Sequence, residues 1–547
     1  MSGVQIHIRD SEQWHEFGAL CTRGTAFLGG RLLSGEALSQ HLATCADGIQ
    51  FRRTLRELNG LFSAVGTLAS GESVAAVDRT RSLPLFYGER DDGLLLSDDA
   101  RWVRQQIGDE ARDPVSELEF ELAGYITGPD TIHARVKQLQ AGELLLAADG
   151  APIVKTERYF RYEHEEGPVR SEEELREELD AILERAFERF IALAGGRCIV
   201  IPLSGGFDSR LIAVMLKRLG YDNVIAYSYG RRGNAEAEAS RQVAASLGIR
   251  WEFCEYTEER WRRWWNTPQR EEYGRFADGL CSLPVYQEWP AVWELRRRGL
   301  VPEDAIFAPG HSADAFPASR RTAAAARVYR DTGVVGETVL AAIIRYTYSL
   351  WDWSDRRDEL APLVARRIEA ALGDFSRFHS SACAVEAWGI QERQAKFIVN
   401  AMRAYEYWGY DWWLPFWDAE FAQFWMRCPV ELRIGRRFSR SHIRGLYERI
   451  SGSRHRQAHT SWPLIGLSAM AGWGRALGGS VPVVGRLYER LRAPLKYGSH
   501  PLAWYGIVPR RFFLRSFRGS VNINSFLALE WLGRLKLGGG NERQWDR

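Results

Sequence analysis

The sequence predicts a β-rich N-terminal domain over residues 1–160, then an α/β domain on a parallel sheet from residue 170. A helical extension carries the second domain to residue 547. Three observations predict this. Up to about residue 155, apolar residues come in short runs separated by polar turns. From Ser171, helical spacing alternates with short continuous apolar runs, as in a doubly wound sheet. From about residue 330 the pattern is helical and heavy in tryptophan.

Taken in order, residues 74–88 and 91–100 read as strand pieces joined by polar turns, and residues 141–160 as a hairpin. The charged, Gly-Pro-bearing stretch 164–175 is a linker. Ser171 and Glu174 form a capping box, and Leu175, Leu179, Ile182, Ala186 and Phe190 follow at helical spacing until Gly195-Gly196. Residues 198–203 are apolar throughout, as a buried parallel strand requires. A Gly-rich turn, a helix over 209–219, a strand over 223–229, a helix over 235–247 and a strand over 250–256 complete the alternation.

With 45% hydrophobic and 26% charged residues, the chain is neither disordered nor fibrous. A net charge of +2 gives no basis for a nucleic-acid partner. Seven scattered cysteines form no CxxC pair or metal-ligand cluster and fit a reducing compartment. The start MSGVQIHIRD lacks the features of a signal peptide, and no run of 18 apolar residues occurs, so the expected location is cytoplasmic with no integral membrane segment. The longest approach to such a run, from Trp462 to Val484, is interrupted by Arg475 and reads as a buried or interfacial segment. Only six of the 72 basic residues are lysines, so a catalytic lysine must be Lys137, Lys155, Lys217, Lys396, Lys496 or Lys536.

The first strand–helix turn reads Leu203-Ser204-Gly205-Gly206-Phe207-Asp208-Ser209. Two glycines let the backbone approach an anion, the amides point at it, and the following helix adds a partial positive charge. Ser204 and Ser209 supply hydroxyls. Asp208 cannot donate to phosphate, and its useful role is to hold the cation that accompanies a polyphosphate. GxxxxGK[ST] is absent, so this is not a Walker loop.

SGGxDS after a strand resembles the pyrophosphate loop of the ATP pyrophosphatase group, and within it the chain resembles the asparagine synthetase family of the glutamine-dependent type. Residues Pro309-Gly310-His311-Ser312-Ala313-Asp314-Ala315-Phe316 match the family's SGEGADEL, and Leu414-Pro415-Phe416-Trp417-Asp418 match VPFLD. The resemblance implies ATP and Mg2+ as cofactors. Asp314 joins Asp208 as metal ligand, and Leu203, Tyr229 and Gly310 contact adenosine. It also implies that the N-terminal domain is a glutamine amidotransferase-like, N-terminal-nucleophile sandwich, echoed in Asn59-Gly60-Leu61-Phe62, residues 78–87 and residues 124–129. That domain reads as degenerate. The family's N-terminal cysteine is replaced by Met1-Ser2-Gly3, and a serine hydroxyl is a far weaker nucleophile at neutral pH.

The synthetase part departs from the family as well. His311 and Ser312 replace Glu-Gly, and Ala315 replaces an acid. A neutral imidazole at 311 suits taking a proton from an amine, and equally suits bonding its neighbours. The family's lysine beyond VPFLD finds Arg454 and Arg456 in its window, and Lys496 is the later lysine candidate. Glu236 and Glu238 sit near a family acidic position and read equally as solvated helix charges. The aromatic group Tyr405–Trp417 and the trio Trp261, Trp264 and Trp265 read as helix-core packing rather than stacking platforms.

The reaction implied is adenylation of a carboxylate followed by transfer of ammonia, free or from a separate glutaminase, in a chain expected as a homodimer. The texture of GFDSRLI and PGHSADAF is most similar to relatives that amidate a sugar uronic acid for surface polysaccharide. Free aspartate, an intramolecular cyclisation of the lasso-peptide or β-lactam synthetase kind, and an ATP-binding pseudoenzyme are the alternatives.

Overall fold

The computed structural model describes residues 3–9, 11–91, 93–148, 154–165, 167–168, 170–313, 315–316, 336–453, 496–516 and 521–538. The first 160 residues hold eleven described strands: β1 (Gly3–His7), β2 (His15–Phe17), β3 (Leu20–Leu28), β4 (Arg31–Ser34), β5 (Asn59–Thr67), β6 (Ser73–Val77), β7 (Phe86–Arg90), β8 (Gly93–Ser97), β9 (Lys137–Gln138), β10 (Glu143–Ala147) and β11 (Val154–Arg158). One sheet has the order β1-β8-β7-β9, and β1 and β8 run parallel. The other runs β11-β10-β6-β5-β3-β2 with β4 on β3, all antiparallel.

Side-chain alternation explains the layers. Val74 and Ala76 of β6 face helices α1 (Glu36–Ala43) and α2 (Gly48–Glu57), packing with Leu38, Leu42, Phe51 and Leu55. Ala75 and Val77 face the other sheet, packing with Leu94 and Leu96. Both faces are covered, so these strands read as unbroken apolar runs. The hairpin expected over 141–160 forms as β10–β11, and Glu143 pairs with Arg158.

The second part opens with the expected capping box. Ser171 and Glu174 cap the 23-residue helix Glu172–Ala194, which ends at Gly195 in the left-handed region (φ 58°). Strands β12 (Ile199–Pro202), β13 (Val224–Gly230), β14 (Arg250–Glu255), β15 (Ile306–Phe307) and β16 (Asp411–Trp412) form one parallel sheet in the order β14-β13-β12-β15-β16. The helices Asp208–Arg218 and Ala235–Leu247 lie between its strands in sequence. Strand β16 is an addition to the remainder expected to be mostly helical: it joins the sheet edge from far downstream, through backbone pairing of Asp411 and Trp412 with Ile306 and Phe307 of β15.

Beyond residue 336 the described elements are mostly helical, including a wide-turned π-helix over Gly389–Ile398. Among the described residues no helix is long and apolar enough to cross a membrane. The segment from Trp462 to Val484 lies outside the described residues. The largest apolar cluster runs across the two parts, joining Phe27, Leu61 and Phe120 to Ile199, Phe307 and Phe416. Asn59 and Asp418 reinforce that junction. The Asn59 amide donates to Asp418 at 2.8 Å and accepts from Ala419 N–H at 2.9 Å, while Arg189 pairs with Asp418 through two nitrogens at 2.8 and 2.9 Å.

Candidate active site

The order in which strands are added reverses between β12 and β15, which run parallel. From β12 the order proceeds outward to β13 and β14, then returns to the other side of β12. The loops leaving the carboxyl ends of these two neighbours therefore part and leave a crevice, the usual ligand position in an open α/β sheet. The Ser204–Phe207 loop leaves β12 on one side, and the segment from Ala308 leaves β15 on the other.

The β12 loop is held by its own side chains. Ser204 N–H donates to Ser209 Oγ at 3.0 Å, the two hydroxyls lie 3.1 Å apart, and Gly206 N–H donates to Ser204 Oγ at 3.2 Å. Beneath it the buried Arg210 donates to Gly205 C=O at 3.2 Å, its guanidinium over the Tyr447 ring. Asp208 opens the helix Asp208–Arg218, so the loop faces a helix N-terminus.

The opposite wall fits against it closely. A Cβ placed on Gly310 would lie 2.6 Å from Ser209 N and 2.9 Å from Asp208 C, so only glycine allows this approach. Next to it Ser312 is buried with φ 69°, accepting from Trp417 Nε1 at 2.8 Å and donating to Gln394 at 2.9 Å. Ser312 thus anchors the loop, and Trp417 of the LPFWD stretch holds it. Asp314, Ser2, Arg454 and Arg456 lie outside the described residues.

A cavity of about 350 Å³ adjoins the loop, walled by Leu203, Ser204 and Tyr229 on one side and Gln287, His500 and Trp504 on others. Its aromatic floor is fixed from below: the hydroxyls of Tyr227, Tyr229 and Tyr405 all donate to Glu288. Burial, reinforced by Glu288, pushes all three phenols well above their ordinary range, so they remain donors. The far wall is the 500–504 segment. Arg231 N–H donates to Pro501 C=O at 2.7 Å, and Trp261 Nε1 donates to Leu502 C=O at 2.6 Å. Burial, then the cations Lys496 and Arg231, push His500 down to about 4. Leu502 N–H donates to its Nδ1 at 3.2 Å, so the neutral ring carries its proton on Nε2.

The sequence-derived candidates separate accordingly. Leu203, Ser204, Gly205, Gly206, Asp208, Ser209, Tyr229 and Gly310 come together at the crevice. Lys496 stands four residues before His500, with Nζ donating to Val521 C=O at 3.3 Å, and is in neither cavity wall. His311 lines a second cavity of about 150 Å³ that shares Gln287 and Trp504 with the first. Glu236 lines the first cavity, whereas exposed Glu238 pairs with Arg241, which with Gln242 draws its carboxyl down to about 2. Tyr405, Trp413 and Trp417 are buried, as packing requires. Trp261 and Trp265 are equally buried, yet they wall the second cavity, which the packing reading missed.

Gln287 and the 500–504 wall were also missed. In the sequence Lys496 is the candidate of this region, but the residues that reach the cavity are His500 and Trp504. Lys396, the most deeply buried lysine described, is occupied with structure: Nζ donates to Ile126 and Gly128 carbonyls at 3.1 and 2.6 Å and to Glu392 at 2.6 Å.

The donor set suits a nucleotide polyphosphate: loop amides, two hydroxyls and a helix N-terminus in a crevice beside an aromatic-floored cavity. Among the described residues no group of three or more His, Cys, Asp or Glu side chains gathers to hold a metal ion. Residues 178–263 match the family model of asparagine synthase, a stretch running from within the helix before β12 into the helix Glu258–Trp265. That stretch is asparagine synthetase-like, and the family's activity is ATP-dependent amide synthesis. Comparison with curated proteins gives no match to the chain.

Proposed function

We propose that the chain is an ATP-dependent amide synthetase that adenylates a substrate carboxylate and transfers ammonia to it. The observation that carries this reading is the Ser204–Ser209 loop, at the carboxyl end of β12 and inside the asparagine synthase-like stretch, closed by Gly310 from the segment after β15.

ATP lies with adenosine against Leu203, Tyr229 and Gly310 and its phosphates toward the loop. A carboxylate oxygen attacks the α-phosphorus, and the bond from that phosphorus to the oxygen bridging to the β-phosphate breaks. The departing pyrophosphate gathers negative charge where the loop amides, the Ser204 and Ser209 hydroxyls and the helix N-terminus meet it. Asp208 and Asp314 would hold Mg2+, which neutralises phosphate charge. The ammonia nitrogen then attacks the acyl carbon, the bond to the AMP oxygen breaks, and His311 accepts the proton released by nitrogen. Lys496 is the cation proposed to steady the acyl-adenylate, which requires its side chain to leave Val521 and move toward His500.

A sugar uronic acid of surface polysaccharide and free aspartate are the acceptors that the family resemblance supplies. Ammonia arrives free or from a separate glutaminase, because the N-terminal domain carries serine in place of the family's cysteine. The enzyme so proposed works in the cytoplasm as a homodimer.

The test is pyrophosphate release from Mg-ATP with ammonium and a panel of carboxylates. Asp208→Asn should lower release at least a hundredfold while ATP binding survives. Release that ignores both carboxylate and ammonium, or a variant as active as the parent, would overturn the proposal.

A further inference from the structure

The second cavity adjoins the nucleotide cavity through Gln287 and Trp504, which belong to both walls. His311, one residue from the glycine that closes the phosphate loop, opens onto it. A carboxylate presented to the α-phosphorus from this side therefore has its non-reacting body inside the cavity. We infer, resting on the amide-synthetase reading, that this body is a benzene-sized apolar group, so that the acceptor is an aryl or branched-alkyl carboxylic acid.

Volume and lining chemistry carry the inference together. At about 150 Å³ the cavity has the size at which a dry pocket lined by Leu, Ile and Phe takes up benzene. Its walls are Trp261, Trp265, Tyr286, Phe397, Ile398 and Leu527 for the most part. The polar side chains among the described lining residues include Gln287, Asn524 and His311, and no Lys, Arg, Asp or Glu is among them. Free aspartate would bring a second carboxylate and an ammonium with no charged side chain among the described lining residues to meet either. A uronic acid would bury several ring hydroxyls, whereas Gln287 already donates an amide N–H to Tyr229 at 2.8 Å. An aryl or branched-alkyl group asks for no such partners.

The walls are also fixed before any ligand arrives. Trp261 is tied to Leu502 C=O at 2.6 Å and Trp265 to Glu530 at 3.2 Å. Trp265 meets Tyr286 edge-on at 4.8 Å between centroids and carries the Arg270 guanidinium over its ring at 4.5 Å. A rigid aromatic box selects by shape, because little of the binding energy is lost in ordering it.

The experiment compares phenylacetate and isovalerate with glucuronate and aspartate in pyrophosphate release from Mg-ATP and ammonium. Binding of a non-hydrolysable ATP analogue is measured separately by calorimetry. The apolar acids should give kcat/KM at least tenfold above the polar ones. Ala401→Leu, which fills the cavity from the short turn Val399–Met402 after the π-helix, should raise KM for phenylacetate at least tenfold and leave analogue binding within twofold; that retained binding also shows that the variant is folded. Glucuronate or aspartate outperforming the apolar acids would overturn the inference and leave the synthetase reading standing. So would analogue binding with no release from either apolar acid, or an indifferent Ala401→Leu. Absence of both analogue binding and release would overturn the synthetase reading itself.

Discussion

Replacing Gly310 by alanine adds one methyl group at the point where the two walls of the crevice touch. Its φ lies outside the left-handed region, so backbone strain is not the issue; space is. The new Cβ would stand 2.6 Å from Ser209 N, 2.9 Å from Asp208 C and 3.1 Å from Asp208 Cβ. Two of the three are backbone atoms that cannot rotate aside. Restoring ordinary contact requires the β12 loop and the β15 segment to part by about 0.8 Å. Overpacking of this kind costs about 1–3 kcal/mol. Displacing a positioning loop by about 1 Å costs roughly a hundredfold in rate. Gly310→Ala should therefore lose about 30- to 100-fold in pyrophosphate release and about tenfold in ATP affinity, with a fall of a few degrees in Tm. Calorimetric ATP titration, the release assay and a thermal melt read the three effects. Gly389→Ala is the matched control, because a Cβ there meets nothing within 4 Å and its φ is ordinary. Wild-type affinity and turnover in Gly310→Ala would refute the close apposition of the two walls.

Lys396→Met should destabilise the fold by about 3–5 kcal/mol, since it strands the buried Glu392 carboxylate as well as two carbonyls of the Ile126–Gly128 turn. Urea unfolding checks this, and Glu392→Gln added to Lys396→Met should recover part of the loss. Burial pushes His164 down to about 3 and His442 to about 4, below the ordinary unfolded value of about 6.5. The native state then binds fewer protons than the unfolded one as pH falls from 6.5 toward 4, so stability present at neutral pH is lost over that window. Each contributes roughly 1–2 kcal/mol of loss between pH 6.5 and pH 5, and His442→Gln should flatten the Tm profile there. His500→Ala should weaken ATP binding severalfold by removing a cavity wall. ATP affinity of the parent should stay level from pH 6 to 8, because this imidazole, pushed down to about 4, is neutral throughout.

The local steps were legible in the sequence because neighbouring residues dictate them. The capping box at Ser171, the stop at Gly195, the apolar run that becomes β12 and the SGGFDS turn before a helix all rest on contacts a few residues apart. The same holds for the candidates on the loop itself, from Leu203 to Ser209. Gly310 was legible through its motif, but what its missing side chain permits appears only against Asp208 and Ser209.

Tertiary structure decided the rest, through pairings that no local pattern encodes. Strand β16 joins the sheet through two residues, too few to print an alternation, so the sequence read it as part of a helical region. His500 and Trp504 close a cavity opened near residue 203, because Arg231 and Trp261 grip the intervening backbone carbonyls. Trp261 and Trp265 look like core residues in sequence because they are core residues; that one side of the cluster is left unfilled depends on which chains approach it. A cavity is the absence of atoms, set by the meeting of segments hundreds of residues apart. Sequence therefore specified the SGGFDS loop, and only the fold decided what stands beside it.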